Sequence, residues 1–301
     1  MSARGVAASD GGGPAFSERR WRSRDGLSLY FRDYPGAGGP PCLPVVCLHG
    51  LTRNSSDFEE FAPAIAATGR RVIVPDIRGR GKSQWDPDPR HYEPRTYARD
   101  VIGMLDALGI GRAVFVGTSM GGVIMMMLAL RHRDRIAAAV LNDVGPEVAP
   151  EGLQRIQSYV GKPVELATWA DAVALVRRIN EGSLPHLSDA DWERMARRTY
   201  TMGPEGPVAR YDPAIAIPLA AGKAKAPAML AWFLYRRLAK GRAVLVIRGE
   251  SSDILGAGTA ARMVAGRTDA QLVEVPGVGH APTLDEPASR QALAGFLNRV
   301  P

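Results

Sequence analysis

Short apolar runs separated by longer amphipathic stretches set the rhythm of this chain. PVVCLHG (44–50), RRVIVPD (70–76), AVFVG (113–117) and IAAAVLND (136–143) are apolar without alternation, the pattern of strands covered on both faces. Between them, residues 56–67, 94–108 and 121–132 carry helical periodicity; in the second, Tyr97, Val101, Met104, Leu105 and Leu108 share one face. Ahead of them, FSERRWRSR and LSLYFRDY flank Asp25-Gly26, a strong hairpin signal.

The rhythm breaks after Asp143. Residues 146–225 carry Pro-led turns and short amphipathic helices near 170–180 and 190–199, without a convincing buried strand. Alternation then resumes: a helix over 227–240, the strand AVLVIRG (243–249), a helix near 258–266, the strand AQLVEVP (270–276) and a last helix over 284–300. The prediction is an α/β fold, a doubly wound, mostly parallel eight-stranded sheet, interrupted by an inserted helical cap. Residues 1–16 read as a disordered tail, 17–145 and 226–301 as the core, and 146–225 as the cap.

Candidate chemistry begins at the end of the third predicted strand of the parallel series. Gly117-Thr118-Ser119-Met120-Gly121 fits G-x-S-x-G with a strand before it and a helix after it. A serine at such a turn projects its hydroxyl above the sheet edge, and the Met120 amide at the helix start points at an oxyanion forming there. His49-Gly50-Leu51 ends the first buried strand, where Leu51 can supply a second amide. His49 itself reads as orienting that loop. VPGVGHAP places His280 on a Gly- and Pro-rich loop straight after a strand. The acid is expected at Asp253 in GESSDIL, with Asp143 and Glu250, each at a strand end, as alternatives.

Taken together, HGLTRNSSDF, PDIRGRGKS, GTSMGG, ESSDIL and PGVGHAP resemble the α/β-hydrolase fold superfamily, in its serine hydrolase branch with a small helical cap. The resemblance runs over nearly the whole chain from about residue 20. It implies a catalytic triad of Ser119, Asp253 and His280, oxyanion donors at Leu51 and Met120, and no cofactor or metal. In the commoner G-x-x-D form of the acid motif, position 252 would carry the carboxylate; here it is Ser252.

The expected reaction is cleavage of a small-to-medium ester or lactone through an acyl-enzyme on Ser119. C–C bond cleavage of a vinylogous diketone is an alternative, and a ligand receptor on the same fold is the alternative of another class. Arg53, Trp85, Trp169 and Trp192 are candidates for the substrate pocket, Arg53 as a partner for a substrate carboxylate; loop and packing roles compete with each. RGRGKS ends like a phosphate-binding loop, but position 76 is Asp where that motif needs Gly.

Charge narrows the partners. The formal net charge is +7, but the excess sits in residues 1–24 and 144–242, with no basic stripe interleaved with aromatics, so nucleic acid is not an expected partner. No apolar run reaches membrane-spanning length. The two cysteines, Cys42 and Cys47, fit neither a disulfide nor a zinc site. A cytoplasmic monomer or homodimer acting on a small molecule is the expectation.

Overall fold

The computed structural model describes residues 16–38, 42–221 and 227–300. Apart from Phe16, the expected tail lies outside them. Eight strands form one sheet: β1 (Ser17–Arg22), β2 (Ser28–Tyr34), β3 (Val45–Leu48), β4 (Val72–Pro75), β5 (Ala113–Thr118), β6 (Ile136–Asn142), β9 (Val244–Gly249) and β10 (Ala270–Val275). The inserted segment adds the short pair β7 (Tyr200–Gly203) and β8 (Gly206–Ala209). Spatial order in the large sheet is β1-β2-β4-β3-β5-β6-β9-β10. β2 pairs antiparallel with both β1 and β4, and the other neighbours run parallel.

The unalternating runs explain the layering. Every residue of β3, β4, β6 and β9 is buried, so both faces must be covered. One face packs Val46, Phe115, Leu141 and Val246 beneath α2 (Pro94–Ala107), α3 (Met120–His132) and α8 (Ala228–Ala239). The other packs Val45, Val116, Val140 and Leu245 beneath α1 (Phe61–Ala66) and α10 (Pro287–Leu297). The remaining helices are α4 (Pro150–Tyr159), α5 (Trp169–Asn180), α6 (Asp189–Thr199), α7 (Ala216–Ala220) and α9 (Ala257–Val264).

Several predicted boundaries move for local reasons. The helix expected over 56–67 splits into a 3₁₀ turn at Ser55–Phe58 and α1. The Asn54 side chain accepts from the Ser56 amide and caps the start of the first piece. The last helix begins at Pro287 rather than 284, because Leu284 has φ 73° and proline suits a first helical turn. Within 146–221, α4, the short α7 and the β7–β8 hairpin come in addition to the two expected helices. The hairpin is for the most part exposed or half-buried and joins no strand of the large sheet, so it lacks the apolar signature of the core strands. α5 and α6 each start with a capping box, Thr168 with Asp171 and Ser188 with Asp191.

Candidate active site

Ser119 sits where β5 turns into α3, with φ 52° and ψ −114°, a left-handed conformation that an L-residue adopts only under constraint. The constraint is visible. Its amide donates to the Asn142 carbonyl on β6 at 3.0 Å, and its own carbonyl accepts from Gly122 at 2.9 Å. The turn is also too tight for side chains on its flanks. A Cβ on Gly117 would lie 2.6 Å from the Gly121 carbonyl carbon, and one on Gly121 would lie 2.2 Å from the Leu48 carbonyl oxygen.

His280 reaches the serine from the loop after β10. Its Nε2 is 3.0 Å from Ser119 Oγ, and its Nδ1 is 2.8 Å from Asp143 Oδ2. A carboxylate only accepts, so the imidazole proton belongs on Nδ1, and Nε2 is left to accept from the serine hydroxyl. Asp143, directly after β6, is fully buried and also has a positive φ, 55°. Its Oδ1 accepts from the Gly249 amide at 2.9 Å, and its Oδ2 also accepts from Ser252 Oγ at 2.5 Å. Three donors, one of them the histidine, hold this carboxylate in one orientation.

The expectation that Asp253 orients His280 is therefore corrected: the partner is Asp143. The side chain of Asp253 turns away to α4, where Arg155 binds it bidentately at 2.6 and 2.8 Å. Hydrogen bonding to Arg155 holds the Asp253 carboxyl below its ordinary pKa, against the opposing effect of burial. The residue of that loop that faces the histidine's partner is Ser252, one position earlier. Glu250 is exposed and accepts from the Gly277 amide, taking no part.

The loop after β3 brings a second backbone segment to the serine. Gly50 packs against Ser119, since a Cβ there would lie 3.9 Å from the serine Cβ. His49 orients the loop, as expected. Its Nε2 accepts from the Ile77 amide at 3.0 Å, so its Nδ1 carries the proton and donates to the Gly50 carbonyl at 2.7 Å. Burial pushes the His49 pKa down and favours this neutral form. Leu51 follows at the wall of the cavity. Met120, as the first residue of α3, has no carbonyl one turn earlier inside its helix.

Comparison with known proteins agrees with this geometry. The sequence pattern of the alpha/beta hydrolase fold matches residues 44–287. The chain belongs to the α/β-hydrolase fold family. A 3-hydroxybutyrate-oligomer hydrolase of Cupriavidus necator is 37% identical over 257 residues, 83% of this chain and 87% of that protein. A 2-(acetamidomethylene)succinate hydrolase of Mesorhizobium japonicum is 28% identical over 236 residues, 78% of this chain and 81% of that protein. Among solved structures, an alpha/beta hydrolase from Novosphingobium aromaticivorans superposes with a TM-score of 0.89 at 45% identity, covering 96% of this chain and 100% of the other. The chain is a hydrolase, and among the described residues no helix is long and apolar enough to cross a membrane.

In this α/β-hydrolase, Ser119 and His280 open onto a cavity of about 810 Å³ between the sheet edge and the inserted segment. Tyr159, Leu175, Leu184 and Tyr200 of the inserted segment form much of its wall. The Gly279 amide donates to the Ser183 carbonyl at 2.7 Å, tying the histidine loop to that segment. Arg53 lines the cavity but is already engaged: Asp57 binds its Nε and Nη2, and Nη1 donates to Thr199 Oγ1 at 2.6 Å. The three expected tryptophans do not line the cavity. Trp192 is core between the inserted helices, Trp169 lies under the Arg197 guanidinium, and Trp85 is half exposed. Large aromatics served the packing of the inserted segment, and tyrosines and aliphatics took the cavity wall instead.

Proposed function

We propose that this hydrolase cleaves carboxylic esters by a serine mechanism and that its substrates carry a carboxylate, as short oligomers of a hydroxy acid do. The hydrogen-bonded chain Ser119–His280–Asp143 carries the mechanistic part of the reading. His280 Nε2 takes the Ser119 proton as Oγ bonds to the ester carbonyl carbon, and Asp143 stabilises the imidazolium that results. The amides of Leu51 and Met120 hold the tetrahedral oxyanion. The carbon–oxygen ester bond then breaks, and the alcohol leaves with the proton from His280. Water, deprotonated by His280, attacks the acyl carbon; the bond from that carbon to Ser119 Oγ breaks, His280 returns the proton to Oγ, and the acid leaves.

The cavity's charge supports the substrate class. Its lining contains five cationic side chains, Arg53, Arg155, Lys162, Arg178 and Arg198, against the carboxylates Asp57 and Asp285. Arg53, Arg155 and Arg198 are paired with acids. Among the described residues, Lys162 and Arg178 have no ion-pair partner, so both are available to an anion. The Cupriavidus and Mesorhizobium relatives are both named for acids, which fits a carboxylate-bearing substrate.

The test is hydrolysis of 3-hydroxybutyrate dimer and trimer beside neutral p-nitrophenyl butyrate. Ser119→Ala should remove activity on all of them by several orders of magnitude without unfolding the protein. Lys162→Glu with Arg178→Glu should raise KM for the anionic oligomers by roughly tenfold or more and leave the neutral ester unchanged, each ~1.4 kcal/mol being a factor of ten. Equal effects on both substrates would remove the carboxylate from the reading, and an active Ser119→Ala would remove the mechanism.

A further inference from the structure

The two arginines of the turn after β4 have opposite surroundings. Arg78, buried, is bound by three carboxylates, Asp25, Asp86 and Asp100. Arg80, equally buried at 0% exposure, enters no ion pair among the described residues. Enclosing a cation without an anion is costly, so the contacts that hold it there need a reason. Its Nε donates to the Leu51 carbonyl at 2.9 Å, and its Nη2 lies 3.7 Å from Met120 Sδ. Nη1 donates to the Arg78 carbonyl at 2.8 Å and to Tyr97 Oη at 2.9 Å. The guanidinium also sits 4.9 Å from the Tyr97 ring centre and 5.6 Å from that of Tyr92, whose π faces attract a cation.

One rigid fork thus spans Leu51 and Met120, the two residues whose amides are the candidate oxyanion donors. They come from different elements, the loop after β3 and the start of α3, and the β3–β5 pairing that brings those elements together ends at Leu48 and Gly117, short of both residues. We infer that Arg80 is a positioning residue that holds both oxyanion donors in register and places behind them a positive charge that no ion pair among the described residues neutralises. The inference rests on the serine ester-hydrolase reading. The contribution is largest when the substrate oxygen becomes negative, so it belongs to the transition state rather than to substrate binding. A planar, always charged, multiply donating group suits this role, and lysine cannot make the same set of bonds.

The experiment compares wild type, Arg80→Met and Arg80→Lys with p-nitrophenyl butyrate. It also measures inhibition by an alkyl boronic acid, which adds to the serine as a tetrahedral anion. Arg80→Met should lower kcat roughly 10- to 100-fold, less than the ~10²–10³ loss of an oxyanion donor itself, with KM within about threefold. Boronate affinity should fall in parallel, and Arg80→Lys should recover part of both. Folding is followed by thermal denaturation. If Arg80→Met does not fold, Arg80→Lys carries the test, and full activity with unchanged boronate affinity in that variant overturns the inference. A folded Arg80→Met whose kcat falls while boronate affinity holds also overturns it. Persistence of ester hydrolysis in Ser119→Ala would instead overturn the underlying reading.

Discussion

At the scale of single residues, the carboxylate behind His280 decides the chemistry. Asp143, itself fully buried, has the serine-histidine chain on one oxygen and a backbone amide on the other. Asp253 is already neutralised by Arg155 at a partly exposed site. Asp143→Asn should therefore lower kcat by about 10⁴, because an amide can leave the imidazole in the wrong tautomer. Asp253→Asn should keep kcat near wild type. The steady-state rates of the two variants check the assignment directly, and the reverse pattern would return the acid to position 253. The serine and histidine were legible in the sequence because each sits in a short motif dictated by local backbone shape. The acid was not, because three carboxylates follow strand ends and only the side-chain direction separates them. Ser252 is the one sign available: its hydroxyl stands where a carboxylate is commoner and reaches Asp143.

At the scale of elements, the serine turn depends on how closely α3 crosses the sheet. Gly121 touches Leu48 of β3 through its backbone, so Gly121→Ala must push the helix away from the strand. Such overpacking typically costs about 1–3 kcal/mol, and the melting temperature should drop by several degrees along with kcat. Gly258→Ala in α9 is the contrast, since a Cβ there meets nothing within 4 Å. It should leave kcat unchanged and raise stability slightly, as alanine is the better helix former by about 1 kcal/mol. Calorimetry on both variants separates close packing from helix propensity. The core strands and the helices α2, α3, α5 and α6 were legible because their periods match the faces they bury. α4 and the β7–β8 hairpin escaped notice because they bury little in the sheet. Their form comes from docking on the core, as in the Gly152 backbone of α4, where a Cβ would lie 2.2 Å from the Asp253 carbonyl.

At the scale of the whole molecule, one buried histidine links the loop geometry to pH. His49 is harder to protonate in the fold than in the unfolded chain because burial disfavours its charged form. Below about pH 6.5, the ordinary histidine value, the unfolded chain therefore takes up a proton that the fold refuses. The stability contributed by neutral His49 is complete above that pH and is lost as the pH falls toward its lowered folded value. Replacing His49 by Gln should flatten the rise of unfolding free energy with pH below about 6.5, by at most ~1.4 kcal/mol per pH unit. An unchanged slope in denaturant titrations would assign the effect to another group.

Local pattern alone determined the doubly wound eight-stranded sheet and put Ser119 and His280 at its edge. Burial period and turn chemistry act over a few residues and leave their mark in the order of the chain. Tertiary structure decided which aspartate serves the histidine, which side chains line the cavity, and that one arginine spans two donors from separate elements. Those choices depend on directions and distances between residues far apart in sequence, such as the 137 positions that separate Asp143 from His280. FVGTSMGG could announce a nucleophile, but only the packed sheet could supply its partners.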